Sequence, residues 1–105
     1  MKKMAVISVD KSNFDALVKE NKKLLLDFYA DWCGPCRMVA PIIHEIAEER
    51  DDVTVGKINV DENMELAMKF GIVSIPTIIL IENGEIVEKM VGARSKSEII
   101  AAIEK

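Results

Sequence analysis

The residues that could do chemistry lie close together in "LLLDFYADWCGPC", residues 24–36. Cys33 and Cys36 are separated by Gly34 and Pro35, and an acid, Asp27, interrupts the apolar run just upstream. A Cys-x-x-Cys pair either contributes to a metal site or exchanges electrons with other thiols. Structural zinc takes four ligands. This chain has 2 cysteines and 1 histidine, His44. We therefore expect no metal and a redox-active disulfide between Cys33 and Cys36.

The chemistry depends on where the pair sits. "LLLDFYA" is a near-continuous hydrophobic strand, as expected at the buried centre of a parallel sheet. From Cys33 to Arg50 the spacing turns helical, with Val39, Ile42, Ile43, Ile46 and Ala47 as the apolar stripe. Cys33 is thus placed at the N-terminus of a helix, where unpaired N–H groups and the helix dipole stabilise a thiolate. A lowered thiol pKa makes a nucleophile towards disulfides. Cys36, three residues on, lies on the same face and can close a ring with Cys33. Gly34 lets a substrate backbone approach, and Pro35 is tolerated in a first turn that needs no N–H from it.

These positions predict a sequence of events. Cys33 attacks a substrate disulfide to give a mixed disulfide, and Cys36, deeper and less exposed, resolves it. A buried thiol resists ionising, so a nearby base would help. Asp27, desolvated on its strand, should have a raised pKa suited to that task. It could equally be half of a buried ion pair with Lys57, and the two roles are compatible. His44 is expected on the helix surface, facing away from the cysteine turn.

The remaining elements follow from pattern. Met4–Val9 is a first strand, and Ser12 with Asp15 resembles a capping box for a helix running to Glu20. Val53–Val60 is a third strand, and Asp61 can cap a short helix that stops at Gly71. Two strands flank Asn83-Gly84, a hairpin signal. Ser95 and Glu98 form a capping box for a last helix. The order is βαβαβα followed by ββα: an α/β chain of one domain, residues 1–105.

"WCGPC" after "DFYAD", then "VGKINVDEN", "GIVSIPT", "NGE" and "VGA", resembles the thioredoxin family over essentially the whole chain. The resemblance implies a mixed five-stranded sheet flanked by four helices. It implies Cys33 as nucleophile, Cys36 as resolving thiol, Asp27 as a buried acid assisting proton transfer and Lys57 as a lysine near it. It further implies a cis proline at Pro76 facing the cysteines and a kink at Pro41. Trp32, Ile75, Gly92 and Ala93, with Gly34 and Pro35, match the surface that receives substrate. Tyr29 stands where Trp is common, and Asp31 where Glu or Pro is common.

The implied activity is reduction of disulfides in protein substrates by a domain that binds no cofactor and is recharged by a thioredoxin reductase. An oxidase or isomerase of the same fold is the nearest alternative, and the Gly-Pro dipeptide favours the reducing kind. A binding module with incidental cysteines is the other. The net charge of -4, with signs interspersed, argues against nucleic-acid and anionic-membrane partners. The apolar stretch Met4–Ile7 is shorter than a secretory or membrane-spanning segment needs. We expect a cytoplasmic monomer.

Overall fold

The computed structural model describes residues 6–105. Among these residues five strands and four helices follow in the order β1 (Ile7–Ser8), α1 (Phe14–Glu20), β2 (Lys23–Tyr29), α2 (Gly34–Glu49), β3 (Thr54–Asn59), α3 (Met64–Lys69), β4 (Thr77–Glu82), β5 (Glu85–Val91) and α4 (Lys96–Glu104). The sheet order is β1-β3-β2-β4-β5. β1 and β2 both run parallel to β3, while β4 is antiparallel to β2 and to β5. The expected first strand begins at Met4, but Met4 and Ala5 lie outside the described residues; the strand itself covers Ile7–Ser8.

β2 is the central strand, and its side chains divide strictly by parity. Leu24, Leu26 and Phe28 pack with Phe14, Leu66, Ile79 and Ile81 on the face covered by α1 and α3. Leu25 packs on the opposite face with Val39, Ile43 and Ile46 of α2 and Ile99 and Ile103 of α4. Asp27 follows Leu25 on that α2-facing side. Burial on both faces is why this strand reads as an unbroken apolar run.

The last helix starts as expected: Ser95 and Glu98 form a complete capping box. Gly71, at φ +64, ends α3 as a Schellman turn, its N–H donating to the Met68 carbonyl while Ile72 donates to Ala67. Asn83 and Gly84 both have positive φ, 52 and 83, as a two-residue primed hairpin turn requires. α2 runs through Pro41, which withholds one helical N–H.

Two caps differ from expectation. Ser12 does not cap α1; its N–H and hydroxyl donate to Asp10 Oδ1 at 2.8 and 2.5 Å, and Asn13 is the N-cap, with no side-chain bond to the helix. The helix starts one residue later than the box predicts, so Ser12 precedes the N-cap and its hydroxyl serves as a donor to the Asp10 carboxylate. Asn63, rather than Asp61, is the N-cap of α3. The Asp61 carboxylate is engaged elsewhere, by Trp32.

β3 approaches its neighbours closely at Gly56, in register with Ile7 and Leu26. A Cβ there would lie 2.6 Å from Val9 Cγ2 and 3.2 Å from Leu26 Cδ2. Valine favours strands, but that preference spans only ~1 kcal/mol. Overpacking a core costs about 1–3 kcal/mol. Gly56→Val is therefore expected to lower the urea midpoint despite its better strand propensity; an unchanged midpoint would show that β1 can move aside.

Candidate active site

β2 ends at Tyr29, and the chain passes through Ala30, Asp31 and Trp32 to Cys33, the N-cap of α2. Cys33 has an extended backbone, φ -88 and ψ 112, and its sulfur accepts the Cys36 N–H at 3.2 Å. A sulfur held this way receives a helix N-terminal donor, the interaction that favours its anionic form once reduced. Here the two sulfurs are joined as a disulfide, with Cα atoms 5.3 Å apart. That spacing lies inside the normal disulfide range. Cys33, Cys36 and Ala30 form an apolar cluster with Tyr29, Val60 and Ile75.

Across from the sulfurs lies the turn before β4. The Ile75–Pro76 peptide bond is cis, as the resemblance implied. The Ile75 carbonyl oxygen is 3.8 Å from Cys33 Sγ. Gly92 donates its N–H to the Pro76 carbonyl at 2.8 Å, so the loop after β5 is tied to the same edge. Cys33, Cys36, Ile75, Pro76 and Gly92 are thereby brought together, with Gly34, Pro35 and Ala93 exposed beside them. Trp32 is 68% exposed, and its indole N–H donates to Asp61 Oδ2 at 2.8 Å.

One expectation is not separated by the geometry: at 4% and 3% exposed, Cys33 and Cys36 are buried alike in the oxidised state. What distinguishes them is position, Cys33 facing Ile75 at the helix tip and Cys36 lying within the first turn.

Asp27 is 4% exposed, and its Oδ1 has no hydrogen-bond partner. Burial pushes its carboxyl up from 3.8 to about 7, with the Lys57 ammonium pulling the other way. Asp27 and Lys57 are register neighbours on β2 and β3. Among the described residues no contact ion pair joins them; Lys57 Nζ instead lies 5.9 Å from the Tyr29 ring centroid. A cavity of about 80 Å³ lies between this pair and α2, lined by Asp27, Lys57, Tyr29, Val6, Ala40, Ile43 and His44.

Sequence reasoning missed the acceptor of the Trp32 indole, which it read as a helix cap. The available signal was Asp61's place at the end of β3, beside the end of β2, where open α/β sheets gather their functional groups. It also missed His44 as a wall of the Asp27 cavity. His44 is exposed, as expected, yet its side chain borders that space.

Comparison with known proteins agrees with this geometry. The family model described as Thioredoxin matches residues 5–105. A thioredoxin from Alicyclobacillus acidocaldarius is 45% identical over 100 residues, covering 94% of this chain and 95% of that protein. A bifunctional thioredoxin reductase/thioredoxin from Mycobacterium leprae is 49% identical over 92 residues; the match covers 87% of this chain but only 20% of that longer protein. Among solved structures, a mutant thioredoxin from Halobacterium salinarum NRC-1 superposes with a TM-score of 0.92 at 38% identity, over 99% of this chain and 92% of that one. With a five-stranded mixed sheet, four helices and a Cys-x-x-Cys disulfide at a helix tip, the chain belongs to the thioredoxin family and is a protein thiol–disulfide oxidoreductase whose redox group is the Cys33–Cys36 disulfide.

Proposed function

We propose that this domain works in the reducing direction, delivering two electrons at a time from its reduced pair to disulfides of other proteins. The observation that carries the reading is the N-cap position of Cys33, whose sulfur accepts a backbone N–H from the first turn of α2. In the reduced protein the Cys33 thiolate attacks one substrate sulfur. The substrate S–S bond breaks, one substrate thiolate leaves, and a Cys33–substrate disulfide forms. Cys36 then gives its proton to the Asp27 carboxylate and attacks Cys33 Sγ. The second substrate thiolate departs, and the product is the Cys33–Cys36 disulfide. A carboxyl poised near 7 can take and return that proton at neutral pH. Lys57, by its charge, keeps Asp27 from rising further.

Substrate docks on the surface made by Trp32, Gly34, Pro35, Ile75, Pro76, Gly92 and Ala93. The exposed Trp32 face supplies apolar area, and the Ile75 carbonyl beside Cys33 offers a backbone acceptor. A thioredoxin reductase returns the two electrons at the same face; the joined reductase and thioredoxin of the Mycobacterium leprae relative supports such a partner. No helix among the described residues is long and apolar enough to cross a membrane, and the acidic net charge gives no footing for nucleic acid. We place the domain in the cytoplasm as a monomer.

The test is the reduction potential of the pair, by equilibration in graded thiol buffers and alkylation of free thiols. The expected result is about −270 mV, the reference value for thioredoxin. A value near about −180 or −120 mV, typical of an isomerase or a strong oxidant, would reverse the direction of electron flow.

A further inference from the structure

Asp27 must lose each proton it takes from Cys36, and its own surroundings make that hard. Its strand neighbours are buried, its carboxyl is almost fully covered, and Oδ1 faces no donor. A cavity of about 80 Å³ opens beside it. It is roomy enough for water, which needs about 10–15 Å³ of such space.

The α2 wall of this cavity follows the helical repeat from the redox pair. Cys36, Ala40 and His44 are spaced i, i+4, i+8, along one strip of the helix. His44 is about 12 Å further along the axis than Cys36, at 1.5 Å per residue. It is the exposed member of the strip, while Cys36 is buried. The cavity therefore has a thiol one turn beyond one end, a carboxyl in its wall and an imidazole at its solvent side.

We propose that His44 is the outer proton relay for Asp27, carrying the Cys36 proton from the cavity to solvent as the mixed disulfide is resolved. The inference rests on the proposed role of Asp27 as proton acceptor. The proton balance is simple: Cys36 S–H gives its proton to the Asp27 carboxylate, Asp27 passes it through cavity water to the free imidazole nitrogen, and His44 releases it to buffer. Imidazole is the side-chain group that both accepts and gives up protons near neutral pH.

The other charged or titratable groups facing the cavity are Tyr29 from β2 and Lys57 from β3. On the β4 side, Asp27 is in register with Ile78, which is apolar. Neither other group fits the task. The lysine ammonium has no acceptor for an incoming proton, and burial pushes the Tyr29 phenol up from its ordinary value. On its own helix, Glu48 stands one turn beyond His44 and is exposed.

The experiment is single-turnover reduction of a disulfide-bonded protein such as insulin, with the mixed disulfide quenched in acid and followed by mass spectrometry. Wild type, Asp27→Asn, His44→Ala and His44→Gln are compared across neutral pH in dilute and concentrated buffer. In dilute buffer both His44 variants should resolve the mixed disulfide roughly fivefold more slowly, a small share of what a positioned acid–base group can contribute. Added imidazole should restore His44→Ala while leaving wild type unchanged. The reduction potential should not move, since a relay alters the rate of proton transfer and not its end states. Wild-type rates in either His44 variant, or a slow variant that imidazole fails to restore, would overturn the relay. If Asp27→Asn also resolves at the wild-type rate, the proton-acceptor role of Asp27 falls and the relay with it. If only Asp27→Asn is slow, Asp27 keeps its role and His44 alone is rejected.

Discussion

Replacing Cys36 with serine is expected to stop turnover and leave Cys33 locked in a stable disulfide with its substrate. In the native pair the resolving sulfur is anchored in the first turn of α2, with its Cα 5.3 Å from that of Cys33. Attack is therefore intramolecular. Preorganised intramolecular reactions reach effective molarities of about 10⁵ M and above. Without the Cys36 sulfur, only an external thiol at millimolar concentration can clear the intermediate. Even a fraction of that advantage makes the loss on the order of 10⁴-fold. A non-reducing gel and intact mass should show a covalent adduct, released by dithiothreitol. Cys33→Ser should form no such adduct, because its remaining thiol lies within the helix rather than at its tip. Equal trapping in both variants would mean that either sulfur can attack, and the assignment of roles would fail. Exposure cannot decide this beforehand, since the two residues are equally buried.

How much of this was legible depended on whether a residue's role is set locally. "LLLDFYA" announced a two-sided buried strand because both parities are apolar, and Asp27 stood out for the same reason. The Asn83-Gly84 turn, the Gly71 stop and the Ser95–Glu98 box are local devices of a few residues, and each formed where its residues predicted. Asp61 failed as a cap because its carboxylate met a partner that no short window reveals, whereas Ser12 lost the role locally, to a helix that starts one residue later. Ser12 donates to Asp10 instead, and Trp32, 29 residues away in sequence, donates to the Asp61 carboxylate. Strand order is of the same kind. β1 pairs with β3 rather than β2, and the small Gly56 permits the close approach of Val9 and Leu26, but neither fact is written in the local pattern. The cis bond at Pro76 came from the family resemblance, since most X–Pro bonds are trans. His44 was read correctly as exposed, yet its relation to Asp27 needed three elements to meet around one cavity.

Asp27→Leu is expected to make the protein more stable at neutral and alkaline pH while slowing its chemistry. The Asp27 carboxyl titrates near 3.8 in an unfolded chain and about 7 in the folded one. Between those values the folded state holds a proton that the unfolded state has lost. Stability tied to this group is therefore fully present below about 3.8, declines as pH rises, and is gone above about 7. At 1.36 kcal/mol per unit, the ionised carboxylate costs the fold about 4 kcal/mol at alkaline pH. Leucine removes that cost, and the adjoining cavity of about 80 Å³ can take its extra volume. Lys57 loses a nearby negative charge, but its long stem lets the ammonium seek solvent. Urea midpoints should thus diverge as pH rises from the acid range to slightly alkaline, with the variant higher throughout the upper part. A constant difference between the two proteins across that range would mean that Asp27 titrates at its ordinary value in the fold. If the divergence appears while mixed-disulfide resolution slows, the acid in the middle of "LLLDFYA" is held against the stability of the fold because the thiols beside it need a proton acceptor.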